Sequence, residues 1–100
     1  MSSDNKYLDQ AFADVLDEML ATFIKKHKDY GKDNILDTGE LGIVFRVNDK
    51  IRRIQHLLTK EQEPENESID ENWMDIAVYA VIAILFRKNQ FQELELDPEK

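Results

Sequence analysis

Apolar residues at Tyr7, Leu8, Phe12, Val15, Leu16, Met19, Leu20, Phe23 and Ile24 recur at alternating spacings of three and four. That rhythm lays them along one side of an α-helix, predicted over about residues 5–30. Asp4 suits its N-cap, and Gly31 stands where a left-handed glycine ends a helix. Residues 31–38 are rich in turn formers and read as a connecting loop. A second helix is expected over 38–59, with Leu41, Val44, Val47, Ile51, Ile54 and Leu58 as its apolar stripe and Glu40 completing a cap near Asp37 or Thr38. Residues 60–67 hold Pro64 and four glutamates, so they cannot build a core and read as a solvated loop. Ser68-Ile69-Asp70-Glu71 then matches a capping box and opens a third helix over about 69–89.

The stretch Ile76 to Phe86 in that helix is apolar all round. A helix with no polar side must be covered on every face, and two other helices of one small chain do not suffice. The expected architecture is therefore all-α, three main helices plus a short C-terminal tail, assembling as a homo-oligomeric helical bundle through helix 69–89. The chain reads as a single domain over 1–100, its core at about 5–89. The acidic tail 90–100 offers Phe91, Leu94 and Leu96 as docking residues, in a short helix or a frayed end.

Composition narrows the class. Three glycines and two prolines in 100 residues favour helices over a turn-rich β fold, and 42% hydrophobic residues are enough for one core. No cysteine is present, which excludes disulfides and thiolate metal sites. A reducing cytoplasm is the expected compartment, since the N-terminal residues lack the pattern of a signal peptide. The run Ile76–Phe86 is too short to span a bilayer. The net charge of −8 argues against duplex nucleic acid or an anionic membrane as partner. All of that charge lies in residues 61–100; residues 1–60 are balanced, and their cations cluster at Lys25/Lys26/Lys28/Lys32 and Arg46/Lys50/Arg52/Arg53. Two local clusters suit a small anionic ligand better than a polymer.

Arg46, Asp49, Lys50 and Arg53 recur at helical spacing and share one stripe. An Asp49–Arg53 pair at i,i+4 is ordinary helix surface. Three cations beside a core-facing edge in an acidic chain point instead to phosphate, with Arg46, Lys50 and Arg53 gripping it and Asp49 orienting them. Asp75, next to the apolar run, needs a basic partner, and Lys50 or Arg46 is the choice. Glu71, Asp75 and Tyr79 form one column on the third helix. With Asp49, the two acids are the possible magnesium ligands, although Glu71 already serves the capping box and the helix dipole. Lys28 and Tyr30 end the first helix. Lys28 there complements the dipole, or meets a phosphate while Tyr30 or Tyr79 stacks on a base. Asp75 or Asn34 then bonds sugar or base edges. His27 and His56 read as solvated surface residues, and Met19, Met74 and Trp73 as core. No Gly-rich phosphate loop, HExxH run or Ser/His/Asp set appears.

Lys28-Asp29-Tyr30-Gly31, Asn34, Gly39, Gly42, Arg46-x-x-Asp49-Lys50-x-x-Arg53, Glu67-Ser68 and Asp75-x-x-x-Tyr79-Ala80 occur in this order. Together they resemble the small helical nucleotide modification associated domain family of phages and bacteria, over about residues 25–85. The resemblance implies a nucleotide-handling helical protein, often phage-encoded. More distantly the layout is similar to MazG-type all-α NTP pyrophosphohydrolases, whose paired acidic motifs bind magnesium. Glu71 and Asp75 would fill the later pair, at spacing four rather than three. The earlier pair is reduced to Asp49 among three cations, which weakens metal binding and favours direct phosphate binding.

The leading expectation is a binding module, needing no cofactor, that captures a nucleotide or nucleotide-derived signal such as a cyclic dinucleotide or an ADP-ribose derivative. In a phage it would act as an anti-defence sponge. The alternatives are a hydrolase using Asp49, Glu71, Asp75 and Mg2+, or a structural helical adaptor.

Overall fold

The computed structural model describes residues 7–60 and 68–99. Five helices follow one another: α1 (Leu8–Tyr30), α2 (Asp33–Leu36), α3 (Gly39–Thr59), α4 (Ile69–Arg87) and α5 (Gln90–Glu93). No strand occurs among the described residues, so the all-α expectation and the three long helices hold. The predicted cap Asp4 and the expected loop over 61–67 lie outside the described residues. α1 stops at Gly31, whose φ of 69° only glycine adopts without strain and whose N–H donates to the His27 carbonyl. α4 starts as the capping box requires: Ser68 Oγ accepts from the Glu71 N–H at 3.0 Å.

Two expectations about connections are corrected. Residues 31–38 are not all loop, because Asp33–Leu36 form the single turn α2 and bury Ile35 in the core. The tail forms the short helix with Phe91 docked that was one of its two expected forms, but it carries the core past residue 89: α5 inserts Phe91, only 4% exposed, beside Ile35, Ile43, Val78 and Ile82. Its entry turns on Asn89, held left-handed at φ 60°, a conformation asparagine tolerates better than most residues. Lys32 secures the following segment, donating to the Gln92 and Leu94 carbonyls at 3.3 and 2.6 Å and pairing with Glu95 at 3.0 Å.

The predicted stripe of α3 is also redrawn. Ile43, Ile54 and Leu57 are buried and Val47 packs on the core, whereas Leu41, Val44, Ile51 and Leu58 face out. Both sets have helical spacing; the buried one is chosen because it shares a face with Lys50, which meets α4. α3 and α4 run antiparallel, as Lys50 pairs with Asp75 and Glu40 with Arg87 at the opposite end, each at 2.8 Å. Glu40 thus spans two helices instead of capping one. On α4, Trp73 is half exposed rather than core, while Met74 packs inward. Asn72, 1% exposed, donates to the Ser68 carbonyl at 3.0 Å, and its Oδ1 has no hydrogen-bond partner among the described residues.

α1 spans about 34 Å at 1.5 Å per residue. Its last turns pack through Met19 and Phe23 on the core, while Leu8, Phe12, Val15, Leu16 and Leu20 before and beside them are exposed. The radius of gyration is 15.4 Å, against about 13 Å for a compact domain of this length. Among the described residues these apolar side chains of α1 are left exposed.

Candidate functional site

The three-four spacing that carries Met19 and Phe23 inward continues to Lys26, His27 and Tyr30 in the last turns of α1. α3 faces them with Arg46 and Lys50, and α4 with Asp75, Val78, Tyr79 and Ile82. α2 adds Asn34 and Ile35, and α5 closes the inner end with Phe91. These side chains enclose a cavity of about 320 Å³, open at one side. That is the low end of the range for small-molecule pockets.

Its charged half is organised by Asp75. Lys26 Nζ lies 2.7 Å from Oδ1 and Lys50 Nζ 2.8 Å from Oδ2, so one carboxylate from α4 holds ammonium groups from α1 and α3. Burial pushes the Asp75 carboxyl up, but the hydrogen bonds and charges of Lys26 and Lys50 more than offset it and hold it below the ordinary carboxylate value. Asp75 is therefore ionised at neutral pH. Arg46 completes the set, its Nη2 donating to the Asn34 carbonyl at 3.1 Å. With Asp75 neutralising one of three cations, the cavity keeps two net positive charges, enough to match one phosphate group. A guanidinium and two ammonium groups lining one cavity have the chemistry to hold a phosphate.

The other half is aromatic. His27 is not a solvated surface residue: it packs against Phe23 at 5.3 Å between ring centroids and meets Phe91 edge-on at 5.9 Å. His56 does lie exposed on α3. Tyr30 stands at the rim, largely exposed, and Tyr79 lines the wall between α3 and α4. A planar ring entering here meets π faces while an attached anion meets Lys26, Lys50 and Arg46.

Of the residues singled out in the sequence, Tyr30, Asn34, Arg46, Lys50, Asp75 and Tyr79 share this cavity. Lys28 is exposed on α1 and does not line it. Asp49 and Arg53 pair with each other at 3.2 Å on the outer side of α3. Asp49 borders a shallow depression beside Phe45. Glu71 is exposed in the first turn of α4. Both oxygens of Asp75 are engaged by lysines, and among the described residues no three His, Cys, Asp or Glu side chains converge as a metal site. From the sequence Lys26 belongs only to the cation cluster of Lys25, Lys26, Lys28 and Lys32, and His27, Phe23 and Phe91 are assigned to no site. For Lys26, His27 and Phe23 the signal was present: they continue the inward rhythm of α1.

A family model described as "nucleotide modification associated domain 1" matches residues 26–86. The match takes in the whole charged half of the cavity and stops before Phe91. No curated protein and no solved structure matches the chain.

Proposed function

This chain belongs to the nucleotide modification associated domain 1 family, and from that premise we propose that it is a nucleotide-binding module that captures its ligand without turning it over. The observation that carries the proposal is the cavity where Lys26, Lys50 and Arg46 meet an aromatic wall of Phe23, His27 and Phe91. The phosphate sits among the three cations and the base against the rings. Asp75 acts by positioning: it aims both lysines at one point, and its own negative charge keeps the pair from repelling each other. Asn34 and Tyr79 offer an amide and a hydroxyl to sugar or base edges.

We favour capture over hydrolysis because two of the three acids a magnesium-dependent reaction would use are already paired with cations. Asp75 binds two lysines and Asp49 binds Arg53. Sequestration of this kind, in a phage-encoded member of the family, removes a nucleotide-derived defence signal such as a cyclic dinucleotide or an ADP-ribose derivative. To test this, the protein is incubated with a nucleotide panel with and without Mg2+, washed, and heated to release what it holds. Recovery of chemically unchanged nucleotide is expected; pyrophosphate or a monophosphate product overturns capture in favour of turnover.

The functional unit in this proposal is a homo-oligomer. Leu8, Phe12, Val15, Leu16 and Leu20 extend the inward face of α1 beyond the body of the chain. α3 bares Leu41, Val44, Ile51 and Leu58 at matching spacings. One chain thus carries both sides of a helix-on-helix contact, which two copies exchange. Light scattering is expected to give a multiple of 11.8 kDa, and the double variant Phe12→Glu/Leu16→Glu a monomer that stays helical. A monomeric native chain rejects this part of the proposal.

A further inference from the structure

A second depression shares Arg46, Lys50 and Tyr79 with the cavity. The second is shallower, holds about 330 Å³, and adds Phe45 and Asp49 to those three. Going round α3 at about 100° per residue, Lys50, Arg46, Asp49 and Phe45 follow in that order from the buried face toward solvent. The shared cations therefore stand between an aromatic-walled inner lobe and an open outer lobe whose floor is Tyr79 and whose edge is Phe45.

We propose that the two lobes form one site for a ligand with two nucleobases joined through phosphate. This rests on the nucleotide-binding reading above and deepens it. The bridging phosphate lies at Arg46 and Lys50, where both lobes open. One base enters the inner lobe against Phe23, His27 and Phe91; the second stacks on Phe45 in the outer lobe.

The inner lobe, at about 320 Å³, lies near the floor of the ordinary pocket range of about 300–1,000 Å³. It admits one nucleoside with its phosphate, and a second nucleoside has to lie elsewhere. The outer lobe is open and shallow and begins at the same guanidinium. Exposure alone does not single out Phe45, since Leu41, Val44 and Ile51 are also bare on α3. What distinguishes Phe45 is that it is a flat π face, 63% exposed, in a depression floored by a tyrosine and lined by the phosphate-facing cations. Stacking on such a ring tolerates any base. Asp49 lines the same depression, its carboxylate paired with Arg53.

The test compares each of the four ribonucleoside monophosphates with the matching linear and cyclic 3′,5′ homodinucleotides, by titration calorimetry on the native chain, Phe45→Ala, Phe45→Leu and Phe45→Tyr. Dinucleotides of the preferred base are expected to bind more tightly than the monophosphate. Phe45→Ala and Phe45→Leu should weaken them about tenfold with the monophosphate unchanged, and Phe45→Tyr should retain native affinity. Equal loss for one-base and two-base ligands, or no loss for either, overturns the two-lobe site while monophosphate binding upholds the nucleotide reading. Absence of binding by every nucleotide on the native chain overturns both.

Discussion

Lys50 and Arg53 stand three residues apart on α3, carry the same charge, and each pairs with an aspartate. Their surroundings differ. The Lys50–Asp75 pair crosses to α4 with side chains 20% and 16% exposed, and Lys26 adds a second bond to the same carboxylate. The Asp49–Arg53 pair closes on its own helix with side chains 56% and 48% exposed. An ion pair in water is screened and has little consequence; one held between helices shapes what the helices can bind. Sequence spacing put all four groups on one stripe, and the packing of α4 divided it into a cavity-facing edge and a more exposed one.

The sharpest way to break that comparison is to remove cations from each side. Arg46→Ala/Lys50→Ala deletes two of the three positive groups in the cavity and is expected to weaken nucleotide binding about a hundredfold, as loss of two charge-assisted contacts requires. Arg53→Ala should change affinity by less than about threefold. Both are read by calorimetric titration at fixed ionic strength, because phosphate contacts weaken with salt. If Arg53→Ala costs as much as the double variant, the ligand lies on the outer stripe and the division of α3 is wrong.

The same division explains what could be read from the sequence. Helices α1, α3 and α4 were legible because their apolar rhythms are long, and the start of α4 because Ser68 and Glu71 form a capping box. α2 was not: it is a single turn, held by Ile35 reaching a core that no local pattern reveals. For α5 the tail shows Phe91 as a docking residue and leaves only the choice between a short helix and a frayed end to packing. The buried stripe of α3 was misjudged because two apolar rows coexist, and only contact with α4 selects Ile43, Ile54 and Leu57. Lys50 as a partner of Asp75 followed from burial. Lys26 did not, since a lysine in a run of lysines reads as a solvated helix end until the face it occupies is traced from Phe23. His27 was misread for the same reason.

A smaller effect, on stability, separates the two aspartates. Asp75→Asn leaves Lys26 and Lys50 converging on a neutral amide and is expected to cost about 1–2 kcal/mol in urea unfolding, below the range for a fully buried pair because Lys26 is half exposed. Asp49→Asn should cost no more than about 0.5 kcal/mol. The dependence on acidity gives the sign. The lysines hold the Asp75 carboxyl below its ordinary value of 3.8, so in acid the unfolded chain takes up this proton before the folded one does. The contribution of Asp75 is thus fully present above that ordinary value and is lost as pH falls through the lower folded one. The stability gap between the native chain and Asp75→Asn should stay constant from about pH 7 to 5 and narrow below about pH 4. Taking this difference cancels the other carboxylates that protonate in the same window. A gap that instead widens in acid would mean that Asp75 is held neutral, and the two lysines would then need another reason to converge.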